Sequence, residues 1–204
     1  VKITHKQSVN SVSRHTFSTR AVNGKVQVVC GPMFSGKTKT LISLISDYLK
    51  DRKKVVVFKP KLDDRYAEES IVSHDKDEAQ AFSVTRPAEM LDLFHRADVI
   101  AIDEVQFFDE SIVGVCETIA DYGKIVVVAG LDLDYLGRPF GSMPQLMSVA
   151  DEIIKLNSVC TFCSGRARFS HRISKDQGVV VLGEKDKYVP LCRSCYNEMN
   201  SKQL

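Results

Sequence analysis

A chain of 204 residues supports one core of ordinary size plus a small appendage. Its apolar fraction of 44% and charged fraction of 26% are those of a globular domain, which sets aside a disordered or fibrous chain. With 28 basic against 26 acidic residues the overall charge gives no argument for a nucleic-acid or membrane partner, and no apolar stretch approaches the roughly 18 residues of a membrane span.

The charge is nevertheless uneven. Between Val1 and Ser46 there is no Asp or Glu, while Lys2, Lys6, Arg14, Arg20, Lys25, Lys37 and Lys39 are all basic. Residues 1–23, rich in Ser, Thr, Val and cations and poor in periodicity, read as a disordered tail or as an organelle transit peptide, which shares this composition.

Lys25 to Cys30 is predicted as the first strand, and the segment after it, Gly31-Pro32-Met33-Phe34-Ser35-Gly36-Lys37-Thr38, fits the Walker A pattern at every fixed position. A loop in that place aims successive backbone N–H groups into one concavity, and the following helix adds the positive end of its dipole, so the loop suits a triphosphate. Lys37 is expected on the β- and γ-phosphates and the Thr38 hydroxyl on Mg²⁺. A glycine turn that binds nothing is the competing reading.

Leu41, Leu44, Ile45, Tyr48 and Leu49 recur at helical spacing, predicting a helix from near Thr38 with one face on a sheet. Val55 to Phe58 is a β-branched run expected of a strand buried on both faces and ended by Pro60. The polar stretch from Lys59 to Gln80 reads as a functional loop. Pro87 opens a short helix through Leu91 and Phe94, Val99 to Ile102 is a strand, Ile112 to Tyr122 a helix, and Lys124 to Ala129 a strand. Strands alternating with helices imply a parallel sheet with right-handed crossovers. After a last sheet element at Glu152 to Leu156 the texture becomes cysteine-containing and basic, which places a boundary near Asn157: a tail over 1–23, a nucleotide-binding unit over 24–156, and a smaller unit over 157–204.

Two constellations carry chemistry. Asp103 follows the apolar strand as a Walker B acid, positioned to hold Mg²⁺ directly or through water, and Glu104 beside it lies within reach of an incoming nucleophile whose proton it can accept. An exposed carboxylate pair at a strand end is the alternative. Cys160-Thr-Phe-Cys163 and Cys192-Arg-Ser-Cys195 present two thiolate pairs at the spacing of a closed Cys₄ zinc site of the structural kind. Two disulfides are the alternative. Cys30 and Cys116, placed in a strand and a helix as core thiols, argue instead for a reducing compartment.

Taken together, the Walker A segment, Asp64-Arg-Tyr66, Ser73-His-Asp75, Asp103-Glu-Val-Gln-Phe-Phe108, Arg138-Pro-Phe-Gly141, the two cysteine pairs and Asp186-Lys-Tyr188 resemble the type II thymidine kinase family, in order and across the chain from about Lys25 to Tyr196. The resemblance implies a RecA-like P-loop α/β core of three layers with a central parallel sheet, plus a small C-terminal zinc-binding lasso. It implies phosphorylation by ATP of the 5′-hydroxyl of thymidine or deoxyuridine, in the cytoplasm unless the basic tail directs import. Glu104 would then be the general base, Lys37 would act on the phosphates, and Arg65 and Asp63 would lie near the reacting phosphate and the metal. Gln106 would join the nucleotide-binding set. Val179, Val181 and Gly183 would offer groups of the lasso to the thymine edge. Met33, Leu131 and Tyr188 would surround the 5-methyl group, Phe107, Tyr135 and Phe140 would form an aromatic wall, and Ser170 would face the nucleoside. A homotetramer and feedback inhibition by thymidine triphosphate are further implications.

Three positions depart from the usual pattern: Leu136 where a polar or basic residue is expected, Tyr135 in place of Phe, and Ser170 in place of Thr. The rival from another class is a P-loop switch or motor subunit whose zinc ribbon binds nucleic acid or a partner protein. It would draw on Arg166, Arg168, His171, Arg172, Lys175, Lys185, Lys187 and Arg193 as an exposed basic stripe, against the nearby Asp176, Glu184 and Asp186.

Overall fold

The computed structural model describes residues 24–61, 80–173 and 187–201. Six strands form one sheet: β1 (Lys25–Cys30), β2 (Val55–Pro60), β3 (Gln80–Val84), β4 (Val99–Ile102), β5 (Ile125–Gly130) and β6 (Glu152–Lys155). Their order is β3-β2-β4-β5-β1-β6, and every pairing is parallel. Alternation along the strands decides which layer each side chain joins. Val26, Val28, Cys30, Val56, Phe58, Ile100, Ile102, Val126 and Val128 project to one face, where α2 (Ser111–Asp121) and α3 (Met143–Val149) supply Ile112, Cys116, Ile119, Met143 and Leu146. Val29, Val57, Val99, Ala101, Val127 and Ala129 project to the other, covered by Leu41 and Ile45 of α1 (Lys37–Lys50). Sheet between two helical layers is the expected three-layer arrangement.

Several elements differ from expectation. β2 does end at Pro60 as expected, but it includes Lys59, and the Lys61 N–H beyond it still donates to the Val84 carbonyl at 2.9 Å. The segment read as loop to Gln80 gives way there to β3, a sheet-edge strand. The helix expected from Pro87 is two 3₁₀ stretches, Pro87–Asp92 and Phe94–Arg96. Residues 62–79, 174–186 and the tail lie outside the description, and with them the expectations for Asp63, Arg65, Val179, Val181 and Gly183.

Beyond the sheet the chain makes two antiparallel ribbons, β7 (Ser158–Val159) with β8 (Arg166–Ala167) and β9 (Phe169–Arg172) with β10 (Tyr188–Leu191), and a final helix α4 (Arg193–Ser201). Cys160, Ala167, Phe169, Leu191 and Tyr196 form a separate small core there. Phe169 and Tyr196 stack in it at 4.3 Å between ring centroids. Among the described residues no helix is long and apolar enough to cross a membrane.

Candidate active site

β1, β4 and β5 end at Cys30, Ile102 and Gly130, side by side at the carboxyl edge of the sheet, and the loops that leave them build the site. After β1 the backbone passes close under Leu156: a Cβ on Gly31 would stand 2.7 Å from the Leu156 carbonyl oxygen. Gly36 caps α1 in the left-handed region at φ 85°, and no side chain caps the helix or places an acid in its first turn. The first N–H groups of α1 are therefore left to an anion from outside the helix. Ser35 Oγ is buried with no hydrogen-bond partner among the described residues. Lys37 is 8% exposed and donates to the Pro32 carbonyl across its own loop at 3.0 Å. Burial pulls its ammonium below the usual lysine range, while Glu104, Asp103 and Asp132 oppose that shift. A buried ammonium, an orphaned hydroxyl and unclaimed helix donors fit a polyphosphate.

Thr38 Oγ1 donates to Asp103 Oδ2 at 3.4 Å, joining the two motifs. Burial and the neighbouring Glu104 raise Asp103 above the ordinary carboxylate value, opposed by the Glu104 N–H, Lys59 and Lys37. Two carboxylates with a hydroxyl at hand are a donor set suited to Mg²⁺. Glu104 itself adopts φ 53° and ψ 37°. A non-glycine residue in that region costs on the order of 1 kcal/mol or more, so the surroundings must enforce the conformation.

Gln106, 3% exposed, is one means of enforcement. Its Oε1 accepts from the Leu131 N–H at 3.1 Å, which leaves Nε2 to donate to Glu104 Oε2 at 2.6 Å. Because the Leu131 group can only donate, the amide orientation is fixed by chemistry and its N–H must point at the carboxylate. Gly130 makes room for the amide: a Cβ there would meet Gln106 Oε1 at 2.6 Å. The bridge thus ties the end of β5 to the carboxylate after β4.

Of the residues expected around a nucleoside, Phe107 and Phe140 meet edge to face at 5.6 Å. The Met33 N–H donates to Ser170 Oγ at 2.9 Å. Tyr188 receives two hydrogen bonds from Arg172, and the Arg172 guanidinium lies 3.7 Å from the Tyr135 ring centroid. His171 and Arg172 are 4% and 7% exposed, which removes both from the exposed basic stripe considered for the rival reading. In their strand Phe169 and His171 share one face and Ser170 and Arg172 the other, and all four residues are buried.

Sequence reasoning did not find Ser158, whose hydroxyl donates to the Phe34 carbonyl of the phosphate loop at 3.1 Å, nor the pair of Lys155 with buried Asp132 at 2.8 Å. Neither sits in a motif. Their place beside the first loop follows from the pairing of β6 with β1, which no pattern along the chain displays.

The four cysteines converge, with their sulfurs all within 4.8 Å of one another and Cys163 and Cys192 at 3.6 Å. Tetrahedral Zn–S bonds of about 2.3 Å put sulfurs about 3.8 Å apart, so the cluster has the dimensions of a Cys₄ metal site. At Cys160 burial raises the thiol, but backbone N–H groups of Cys192, Cys163 and Phe162 outweigh it and bring the value down to about 6. Cys30 and Cys116 stand apart as buried thiols.

The sequence model of the thymidine kinase family matches residues 24–196. A thymidine kinase of Bacteroides thetaiotaomicron is 44% identical over 182 residues, which are 89% of this chain and 91% of that protein. One from a Rhodothermus species is 46% identical over 173 residues, covering 85% and 81%. One from Porphyromonas gingivalis is 43% identical over 189 residues, covering 93% and 92%. Among solved structures, the flagellar accessory protein FlaH of Methanocaldococcus jannaschii superposes with a TM-score of 0.51 at 14% identity, over 71% of this chain and 75% of that one. That likeness is one of fold, and it accords with a RecA-like core.

Proposed function

The chain belongs to the thymidine kinase family and has its activity, with thymidine and ATP as substrates, and we propose that Glu104 is the base that takes the proton of the 5′-hydroxyl as the γ-phosphoryl group is transferred. The observation that carries this reading is the carboxylate of Glu104, forced into left-handed backbone beside the metal-type acid Asp103 and gripped by Gln106 at 2.6 Å. Phosphoryl transfer asks the protein chiefly for position and charge. The nucleoside 5′-oxygen attacks the γ-phosphorus, the bond from that phosphorus to the β–γ bridging oxygen breaks, and Glu104 holds the released proton until solvent takes it. ADP and thymidine 5′-monophosphate leave.

Gly31 to Thr38 and Lys37 would hold the triphosphate, with Thr38 and Asp103 holding Mg²⁺. The metal, when bound, neutralises charge on the β- and γ-phosphate oxygens. Gln106 keeps the Glu104 carboxylate aimed, a role in orientation. Asp63 and Arg65 are assigned by resemblance to the metal and the transferred group. For the nucleoside, Met33, Leu131 and Tyr188 are assigned to the 5-methyl group, Phe107, Tyr135 and Phe140 to the wall, Ser170 to the sugar-and-base cavity, and Val179, Val181 and Gly183 to the pyrimidine edge. Cys160, Cys163, Cys192 and Cys195 would bind Zn²⁺, which when bound cross-links the loop at its base. Deoxyuridine as a second acceptor, thymidine triphosphate as feedback inhibitor, a homotetramer and a cytoplasmic location complete the proposal.

The test is ATP consumption with thymidine, with deoxyuridine and with no acceptor, and phosphorus NMR of the product. Acceptor-dependent turnover giving a 5′-monophosphate is the expected result. Hydrolysis of ATP at the same rate without acceptor would overturn it.

A further inference from the structure

We propose that Arg172 is a positioning residue for the nucleoside pocket, acting by clamping Tyr135 and Tyr188; the inference rests on the nucleoside site assigned above. The geometry starts from strand pairing. β9 and β10 are antiparallel and Arg172 is the register partner of Tyr188, so the two side chains emerge from the same face. Arg172 Nε and Nη2 both donate to the Tyr188 hydroxyl, at 3.2 and 2.8 Å. The same guanidinium sits over the Tyr135 ring, its Cζ 3.7 Å from the centroid. Tyr135 is held at its main chain as well, where its carbonyl accepts from the Tyr196 hydroxyl at 3.1 Å.

Two residues earlier on the same face of β9, Ser170 takes the Met33 N–H. Met33 and Tyr188, assigned to the 5-methyl group, and Tyr135, assigned to the aromatic wall, are therefore all anchored at two positions of a single four-residue strand. The opposite face of that strand is spent on packing, with Phe169 and His171 against the Tyr196 ring.

A guanidinium that is 7% exposed has given up most of its hydration, and an apolar side chain of similar length would fill the same space at less desolvation cost. What the apolar substitute could not do is fix a ring face and a hydroxyl at the same time. Only a planar cation with forked donors stacks on one tyrosine while bonding another, so lysine is no equivalent here. Arg172 thus acts on thymidine through the two rings, and the phosphate loop carries the ATP side of the reaction through other residues.

The test is steady-state kinetics of wild type, Arg172→Met, Arg172→Lys, Tyr188→Phe and the Arg172→Met/Tyr188→Phe double variant, with KM measured separately for thymidine and ATP. Expected for Arg172→Met is a rise of about tenfold or more in KM for thymidine with KM for ATP within about twofold of wild type. Arg172→Lys is expected to follow Met. Tyr188→Phe is expected to raise KM for thymidine by about threefold or more, and the double variant to be no worse than Arg172→Met alone, since both changes break one linkage. A thymidine KM unchanged in Arg172→Met, a parallel loss for both substrates, or additive effects in the double variant would each overturn the proposal. Should Arg172→Met fail to accumulate, Arg172→Lys and Tyr188→Phe decide it by the same split between substrates. Absence of thymidine-dependent turnover in the wild type would instead defeat the reading of the site, a result visible without any variant.

Discussion

Replacing Gln106 by Glu changes one atom pair and leaves the rest of its environment in place. The new carboxylate still accepts from the Leu131 N–H, but where Nε2 donated to Glu104 Oε2 at 2.6 Å there is now a second acceptor. Two carboxylates in that arrangement, with charge centres about 4 Å apart, repel by about 4 kcal/mol at an effective dielectric constant of about 20. At 1.36 kcal/mol per unit this raises the proton affinity of the pair by up to about three pH units, so one proton is retained between them. The base must be ionised to act. Gln106→Glu should therefore lose kcat at neutral pH and recover it as pH rises, with the acid limb of the kcat profile moved upward by about two to three units. Gln106→Leu provides the contrast, because it leaves the Leu131 N–H without its acceptor, at a cost of about 1–3 kcal/mol, and adds no titrating group. Its kcat should fall and stay low at every pH. The assay is coupled ATP consumption at saturating thymidine from pH 6 to about 10, bracketing the predicted shift. A Gln106→Glu profile that superimposes on wild type would refute the idea that this amide holds the catalytic carboxylate.

Gly130→Ala places a Cβ 2.6 Å from Gln106 Oε1 and 2.9 Å from Met143 Sδ, so it should cost about 1–3 kcal/mol by overpacking and lower kcat with it; unchanged melting temperature and kcat together would contradict this. Lys155→Met leaves the Asp132 carboxylate, whose side chain is 5% exposed, without its cation; with Lys155 itself half exposed, a loss of about 1–3 kcal/mol by urea unfolding is expected, partly restored by adding Asp132→Asn. Burial pushes the Cys30 thiol up to about 11 and the Cys116 thiol up to about 12, so at pH 8 neither should react with iodoacetamide in the folded protein, whereas chelator treatment should open the exposed Cys163 to labelling. Mass spectrometry of the labelled peptides reads the outcome, and modification of Cys30 before Cys163 would count against the assignment of core and cluster.

The strands that position the site were readable because β1, β2, β4 and β5 are short apolar runs rich in Val and Ile, the composition of parallel strands covered on both faces. β3 was hidden by its composition: Gln80, Ser83 and their neighbours make an edge strand with one partner and a weak apolar signal. α3 was missed because it is short and begins with Met143-Pro144, and α4 because only Tyr196 is fully buried, with Cys195 and Met199 partly so. In the site, motifs named the residues that touch charge. They could not name the backbone state of Glu104 or the two-ended use of Gln106, because those depend on β4 and β5 being neighbours, a fact of topology. The same holds for Arg172. Read along the chain it is one cation among several in a basic stretch, and only the pairing of β9 with β10 brings it against Tyr188 and turns it inward.

The most direct measurement is a comparison of wild type with Glu104→Gln in which turnover and binding are measured on the same preparation. Gln keeps the size of the side chain and removes the ability to take a proton, so the account predicts a fall in kcat of about 10²–10⁴ while the dissociation constants for thymidine and for a non-hydrolysable ATP analogue stay within about threefold. Retention of a tenth or more of wild-type kcat, or a loss that appears in binding rather than in turnover, would contradict the assignment of Glu104 as the base.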